Sequence, residues 1–322
     1  TACASTNASA ATYTVTGNNV QGINYSVAST GSHTYFSLAP TLVAANINAS
    51  LSSNRFTNLN VNTTGSITFL ATNYNTPAAG VQLIDGNRIV TGFNKGGAGN
   101  TVTLSTSGSA SVTGATINHT NNNFSNITVT GATTIAGWVN ADGTTVNKNF
   151  SNDTFSNWTG GTNGVTVMNI STGGSTGSGN TINSNYIYNI TGQGGITTIS
   201  LGGGTITTCS GNTIRGIRST GTGGAVTGIS CAAATSHTFN NVIDSLSSTL
   251  ASATVIGITS SSATLMNIYS NTISSLYSLL GASGVTSGIV HSGGGITANI
   301  YKNKIYDLAS TGGSPSVAVN GI

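Results

Sequence analysis

Apolar residues along this chain recur in a long frame whose unit is about thirty residues, far beyond the period of a helix or of a single strand. Its clearest copies are Asn212-Thr-Ile-Arg-Gly-Ile217, Asn241-Val-Ile-Asp-Ser-Leu246, Asn271-Thr-Ile-Ser-Ser-Leu276 and Asn303-Lys-Ile-Tyr-Asp-Leu308. The frame reads Asn-x-Ile-x-x-Leu/Ile, and it extends backward to anchors at Asn185, Asp153, Asn122, Asn87, Asn54 and Asn18. Agreement is weakest at Asn87, where Gly92 occupies the last apolar place. Successive anchors lie 36, 33, 35, 31, 32, 27, 29, 30 and 32 residues apart.

Two further short apolar segments fall within each period, such as Val226 to Ile229 and Thr238-Phe239, or Val285 to Ile289 and Thr297 to Tyr301. Glycine-rich links separate them, including 202–204, 221–224 and 293–295, as corners of positive φ require. The pattern predicts an all-β, right-handed parallel β-helix of three strands per coil and nine to ten coils. A propeller blade carries four strands in ~40–45 residues and fits less well. Residues 18–322 form one continuous solenoid in this reading, and 1–17 an irregular segment or linker.

Stacking equivalent positions yields an inward column of Phe56, Ile89, Phe124, Phe155, Ile187, Ile214, Ile243, Ile273 and Ile305. Leu59, Ile127, Trp158, Ile190, Ile217, Leu246, Leu276 and Leu308 form a second. At ~4.8 Å per coil, nine steps give a rod roughly 40–45 Å long. Two readings compete for the anchors Asn54, Asn87, Asn122, Asn185, Asn212, Asn241, Asn271 and Asn303. They either turn inward and hydrogen-bond from coil to coil, the preferred reading, or face solvent in left-handed turns.

Composition sharpens this picture. Charged residues are 4% of the chain, against roughly 25% in ordinary soluble domains, and there is no glutamate to fill exposed helix positions. The eight basic residues are scattered, which argues against a nucleic-acid partner, and no apolar run approaches the ~18 residues of a membrane span. The first residue, Thr1, and the last coil, ending at Ile322, suggest a piece of something longer.

Chemistry is sparse. The five acids, Asp85, Asp142, Asp153, Asp244 and Asp307, occupy different places relative to their anchors, so no carboxylate pair for glycoside hydrolysis is apparent. Arg215 and Asp244 share the third place after their anchors in neighbouring coils and are expected to form an exposed ion pair. Arg55 and Arg88 likewise share the first place. His33, His119, His237 and His291 have no close sequence partners, and Cys3, Cys209 and Cys231 lack metal-ligand spacing. No catalytic residue, metal site or cofactor is assigned. Tyr269 and Tyr301, two places before their anchors, are expected to continue a strand inward rather than to present a binding strip.

Three stretches, Asn267-Ile-Tyr-Ser-Asn-Thr-Ile-Ser-Ser-Leu276, Val285-Thr-Ser-Gly-Ile289 and Asn299-Ile-Tyr-Lys-Asn-Lys-Ile-Tyr-Asp-Leu308, carry a resemblance. The chain resembles the β-solenoid repeats of giant surface proteins exported by the type IX secretion system of Bacteroidetes, most closely from about residue 180 onward. The resemblance implies a secreted, extracellular, structural or adhesive rod without enzymatic activity. The neutral, Thr- and Asn-rich walls are expected to let rods self-associate into a homo-oligomeric fibre or bundle, and a cell-surface glycan or protein is the expected ligand. A carbohydrate-active enzyme or carbohydrate-binding module is the alternative.

Overall fold

A computed structural model describes residues 3–5, 11–38, 47–73, 76–108, 114–142, 146–170, 179–202, 205–221, 224–250, 252–262, 264–279, 284–294, 297–311 and 318–322. All regular structure there is β-strand, and no helix is long and apolar enough to cross a membrane. Every strand pairing is parallel, and the chain visits three sheets in turn. The first face has eleven strands, the second ten, and the third thirteen because some of its coils contribute two short strands. The result is a parallel β-solenoid of ten rungs, here numbered 1 to 10 by their anchors from Asn18 to Asn303. The glycine corners named above lie partly outside the described residues.

The solenoid begins earlier than the anchor frame implies. Cys3–Ser5 pairs with residues 36–38 of the first face, and Ala11–Thr16 pairs with Ile47–Ser52 of the second. The described residues of the segment expected to be irregular, 3–5 and 11–17, therefore belong to rung 1. The frame marks only the third face, so strands preceding the first anchor carry no signal of their own beyond the alternation of Tyr13 and Val15.

On the third face the frame places inward residues two and five positions after the anchor, a spacing that a strand of period two cannot deliver. A left-handed residue four places after the anchor resolves the conflict. Asn58, Asn126, Asn157, Asn189, Ser245, Ser275 and Asp307 have φ between 53° and 63°, with glycines at 22 and 216. In Tyr186–Gly192, Ile187 and Ile190 both point inward as a consequence. Asn, Gly, Ser and Asp are the residues expected there, since the left-handed region penalises bulky side chains.

Both predicted columns lie in the core, with Ile305 and Leu308 of rung 10 only partly buried. The weak copy at Asn87 has a simple cause: Phe93, not Gly92, pairs with Leu59 below and Ile127 above. Rung 3 holds one extra residue before its second inward position. Opposite these columns the first face turns two successive residues inward, as at Gly257-Ile258. A Cβ on Gly257 would lie 2.6 Å from the Gly288 carbonyl and 2.7 Å from Ile273, so the third-face isoleucines pack directly on first-face backbone.

Candidate functional site

The interior corner between the second and third faces is lined by the anchors. The residue just before each anchor takes φ between 53° and 68° in all ten rungs, and this swings the anchor side chain inward. Asn54 Oδ1 accepts from the backbone N–H of Asn18 at 3.1 Å and from its amide at 3.0 Å. The same pair of bonds joins Asn54 to Asn87, Asn87 to Asn122, Asn185 to Asn212, Asn212 to Asn241, Asn241 to Asn271, and Asn271 to Asn303. From Asn54 on, each anchor amide also donates to a second-face carbonyl of the preceding rung, as Asn241 does to Cys209 at 3.0 Å. The inward anchor and the left-handed turn thus coexist, on adjacent residues. A buried amide with all these partners avoids the penalty of an unpaired polar group.

Rung 5 is different, because its anchor is Asp153. Asp153 Oδ1 accepts from Asn122 as an asparagine would, at 2.8 and 2.9 Å. Its backbone N–H reaches Asn185 Oδ1 at 3.0 Å. Its second oxygen occupies the place of the amide nitrogen and has nothing to donate. His119, on the rung below, supplies the missing proton: its Nδ1 lies 2.8 Å from Asp153 Oδ2, with both side chains fully buried. A carboxylate only accepts, so Nδ1 carries the hydrogen. His119 also stacks on Trp138, with ring centroids 4.0 Å apart and 21° between planes. Sequence spacing hid this pair, since 34 residues separate the partners. The signal was the one acid among the anchors, together with a histidine three places before the anchor of the neighbouring rung.

Other ionisable groups also point inward. Lys95 Nζ donates to the carbonyls of Gly97 and Gly99 at 2.5 and 2.7 Å, tying down the corner that follows it. Lys148 Nζ donates to the Asp142 carbonyl at 2.8 Å, and burial pulls its pKa from 10.5 to about 8 while the Asp142 charge opposes that shift. The folded chain therefore resists a charge that the unfolded chain accepts freely. The cost is complete below about pH 8, fades as pH rises toward 10.5, and vanishes above it. Lys148→Met is expected to be more stable than wild type near neutrality, by up to roughly 3 kcal/mol less the lost hydrogen bond. Urea denaturation of both chains from pH 7 to 10.5 should show that advantage shrinking; a constant difference would assign the effect to packing. Cys209, Cys231 and Tyr35, each raised by burial, titrate in both chains and cancel in the comparison. Cys209 and Cys231 are free thiols in the core.

Outside, Arg215 and Asp244 are register partners, yet they form no salt bridge within 4 Å. The expected ion pair gives way to a hydroxyl-capped carboxylate: Ser274 and Ser245 donate to Asp244 at 2.8 and 3.0 Å. Partial burial works against its ionisation, but hydroxyls of Ser274, Ser245 and Ser275, aided by the Arg215 charge, hold its pKa below the ordinary value. Short serines beside the carboxylate reach it without the entropy cost of ordering an arginine. Arg55 and Arg88 are exposed register partners.

Tyr269 and Tyr301 do not continue inward. They face outward on the second face, where Tyr269 stacks on Phe239 at 4.8 Å and Tyr301 on Tyr269 at 5.0 Å, with planes 5° and 4° apart. The strand Thr235–Phe239 turns Ser236 and Thr238 inward, which sends Phe239 out, and its two register partners follow. Because each ring covers its neighbour's face, the row presents mainly edges to solvent and serves as a ladder rather than a platform.

Among the described residues, two hollows lie on the third face of rungs 1 to 5. In rungs 1 to 3 that face is split, as in Arg55–Thr57 followed by Leu59–Thr63, whereas rung 4 runs unbroken as Asn123–Val129. The split leaves an open groove of about 560 Å³ beside Phe93, Asn94, Asn126, Thr128 and Asn157. A second hollow of about 210 Å³ reaches from Asn94 and Asn60 to Tyr25 and Asn24. Asn94 borders both.

No protein-family model, curated protein or solved structure matches this chain.

Proposed function

We propose that the chain is a structural or adhesive rod of a secreted, extracellular surface fibre, and not an enzyme. The observation that supports this reading most directly is the anchor ladder, which links all ten rungs through side chains that are buried from Asn54 to Asn271. Stability in such a stack is a sum of nearest-neighbour terms, so an unbroken ladder makes a stiff spacer along the solenoid axis. The deepest ionisable pair, His119 and Asp153, is spent on the ladder itself. A nearly uncharged wall also permits rods to lie side by side without repulsion, favouring self-association into a fibre or bundle.

The test is made on cells that produce the protein. Surface protease treatment should remove it, and electron microscopy of intact cells should show fibres with a ~4.8 Å axial repeat that disappear on deletion. A protease-protected protein, or dispersed compact monomers at the surface, would overturn the reading.

A further inference from the structure

Several outward asparagines on this solenoid bond an asparagine of the next rung, while others, such as Asn73, Asn152 and Asn240, bond none. Asn149 donates to Asn118 at 2.9 Å, Asn157 to Asn126 at 3.0 Å, Asn189 to Asn157 at 3.2 Å and Asn299 to Asn267 at 2.8 Å. One row is unbonded throughout. Asn24, Asn60 and Asn94 are register partners on rungs 1, 2 and 3, all exposed, and their side-chain amides make no hydrogen bond among the described residues. That row borders both hollows of the third face.

We infer that this groove binds a neutral glycan lying along the solenoid axis, with the Asn24, Asn60 and Asn94 amides as its hydrogen-bonding contacts. Each amide offers both a donor and an acceptor, the combination that engages neighbouring hydroxyls of a sugar. The amides repeat at the ~4.8 Å rung spacing, close to the advance per sugar of an extended glycan, so successive sugars meet equivalent groups. Tyr25, 44% exposed at one end of the groove, supplies an apolar ring for the C–H face of a pyranose. Thr128 continues the row on rung 4 with a hydroxyl. No Asp, Glu, Lys, Arg or His borders either hollow, which selects an uncharged ligand over an acidic one. The exposed cations of rungs 2 and 3, Arg55 and Arg88, sit five or six residues earlier on the same face.

This inference deepens the adhesive part of the proposed function, and its test is separable because it uses purified protein. The full chain is titrated calorimetrically with oligosaccharides of β-1,4-glucan, β-1,3-glucan, α-mannan and chitin, and with an acidic oligogalacturonate. At least one neutral oligosaccharide should bind, and Asn60→Ala/Asn94→Ala should weaken it roughly tenfold or more, the loss expected for two amide contacts. Tyr25→Ala should weaken it further, whereas Arg55→Ala/Arg88→Ala should leave it unchanged. Because the replaced amides are outward and unbonded, the double variant should keep the wild-type melting midpoint. Failure of every neutral oligosaccharide to bind overturns the inference, as does binding that survives the double variant, or oligogalacturonate binding lost only with the arginines. Glycan binding by a chain absent from the cell surface would refute only the location; a surface fibre that binds none would refute only the groove.

Discussion

Replacing His119 with leucine is expected to destabilise the chain by about 3 kcal/mol, the effect of leaving a fully buried carboxyl oxygen without its hydrogen-bond partner. The substitution strands Asp153 Oδ2 in a fully buried corner with no donor, where the other anchors hold an amide nitrogen. Asp153→Asn should be neutral or stabilising, because the new amide can donate to Asn185 Oδ1 as its neighbours do. In that background His119→Leu should cost only its packing against Trp138, on the order of 1 kcal/mol. Urea denaturation of wild type, the two single variants and the double variant gives the coupling directly, and it should be about 2 kcal/mol. Additive effects would mean that His119 is merely filling space and that the carboxylate is satisfied in some other way.

That pair shows where sequence reading stops. The three-strand coil, the rung count and both inward columns were legible because they depend on a repeated frame, and repetition survives without coordinates. The Asn anchors stood out for the same reason. His119 did not, because its partner lies one coil away, and single departures from a repeat carry no pattern. Gly92 was misleading because a one-residue insertion moves the inward place to Phe93. Tyr269 and Tyr301 were assigned to the wrong side of the strand because a one-residue shift of register inverts every side chain. The left-handed residue four places after nine of the ten anchors was visible as a column of Asn, Gly, Ser and Asp, yet its meaning emerges only from the clash between a three-residue inward spacing and a two-residue strand period.

The groove was illegible for a different reason. It arises where rungs 1 to 3 break their third-face strand, and the sequence records this only as longer steps between anchors, 36, 33 and 35 residues, against 27 to 32 from rung 5 onward. Extra residues do not announce whether they enlarge a corner or indent a face. Likewise, no composition distinguishes an asparagine that bonds to its register partner from one that leaves its amide to solvent. Asn126 and Asn157 take the left-handed place four residues after their anchors and bond each other, whereas Asn60 and Asn94 lie six and seven residues after theirs, and only the geometry shows their amides unbonded.

Asn241→Ala should be among the most damaging single substitutions, by about 3–6 kcal/mol, since it removes partners from buried groups on both neighbouring rungs. Asn212 loses the acceptor of both its N–H, at 3.0 Å, and its amide, at 2.9 Å. The Cys209 carbonyl and Asn271 Oδ1 each lose a donor. None of these atoms can turn to water, because Asn212, Asn241, Asn271 and Cys209 are all buried. The location of the damage is as diagnostic as its size. In a stack held by nearest-neighbour terms, a break at rung 8 should uncouple the rungs on either side, so that unfolding loses its single transition. Amide hydrogen exchange should show protection falling first at rungs 7 to 9 while rungs 2 to 5 remain slow. Asn18→Ala, at rung 1, keeps the backbone N–H bond to Asn54 and removes only an exposed amide that donates to Asn54 and to the Thr16 carbonyl, so it should cost no more than about 1 kcal/mol. If the two alanine variants melt alike, the ladder is a passenger of the hydrophobic columns rather than the element that joins the rungs.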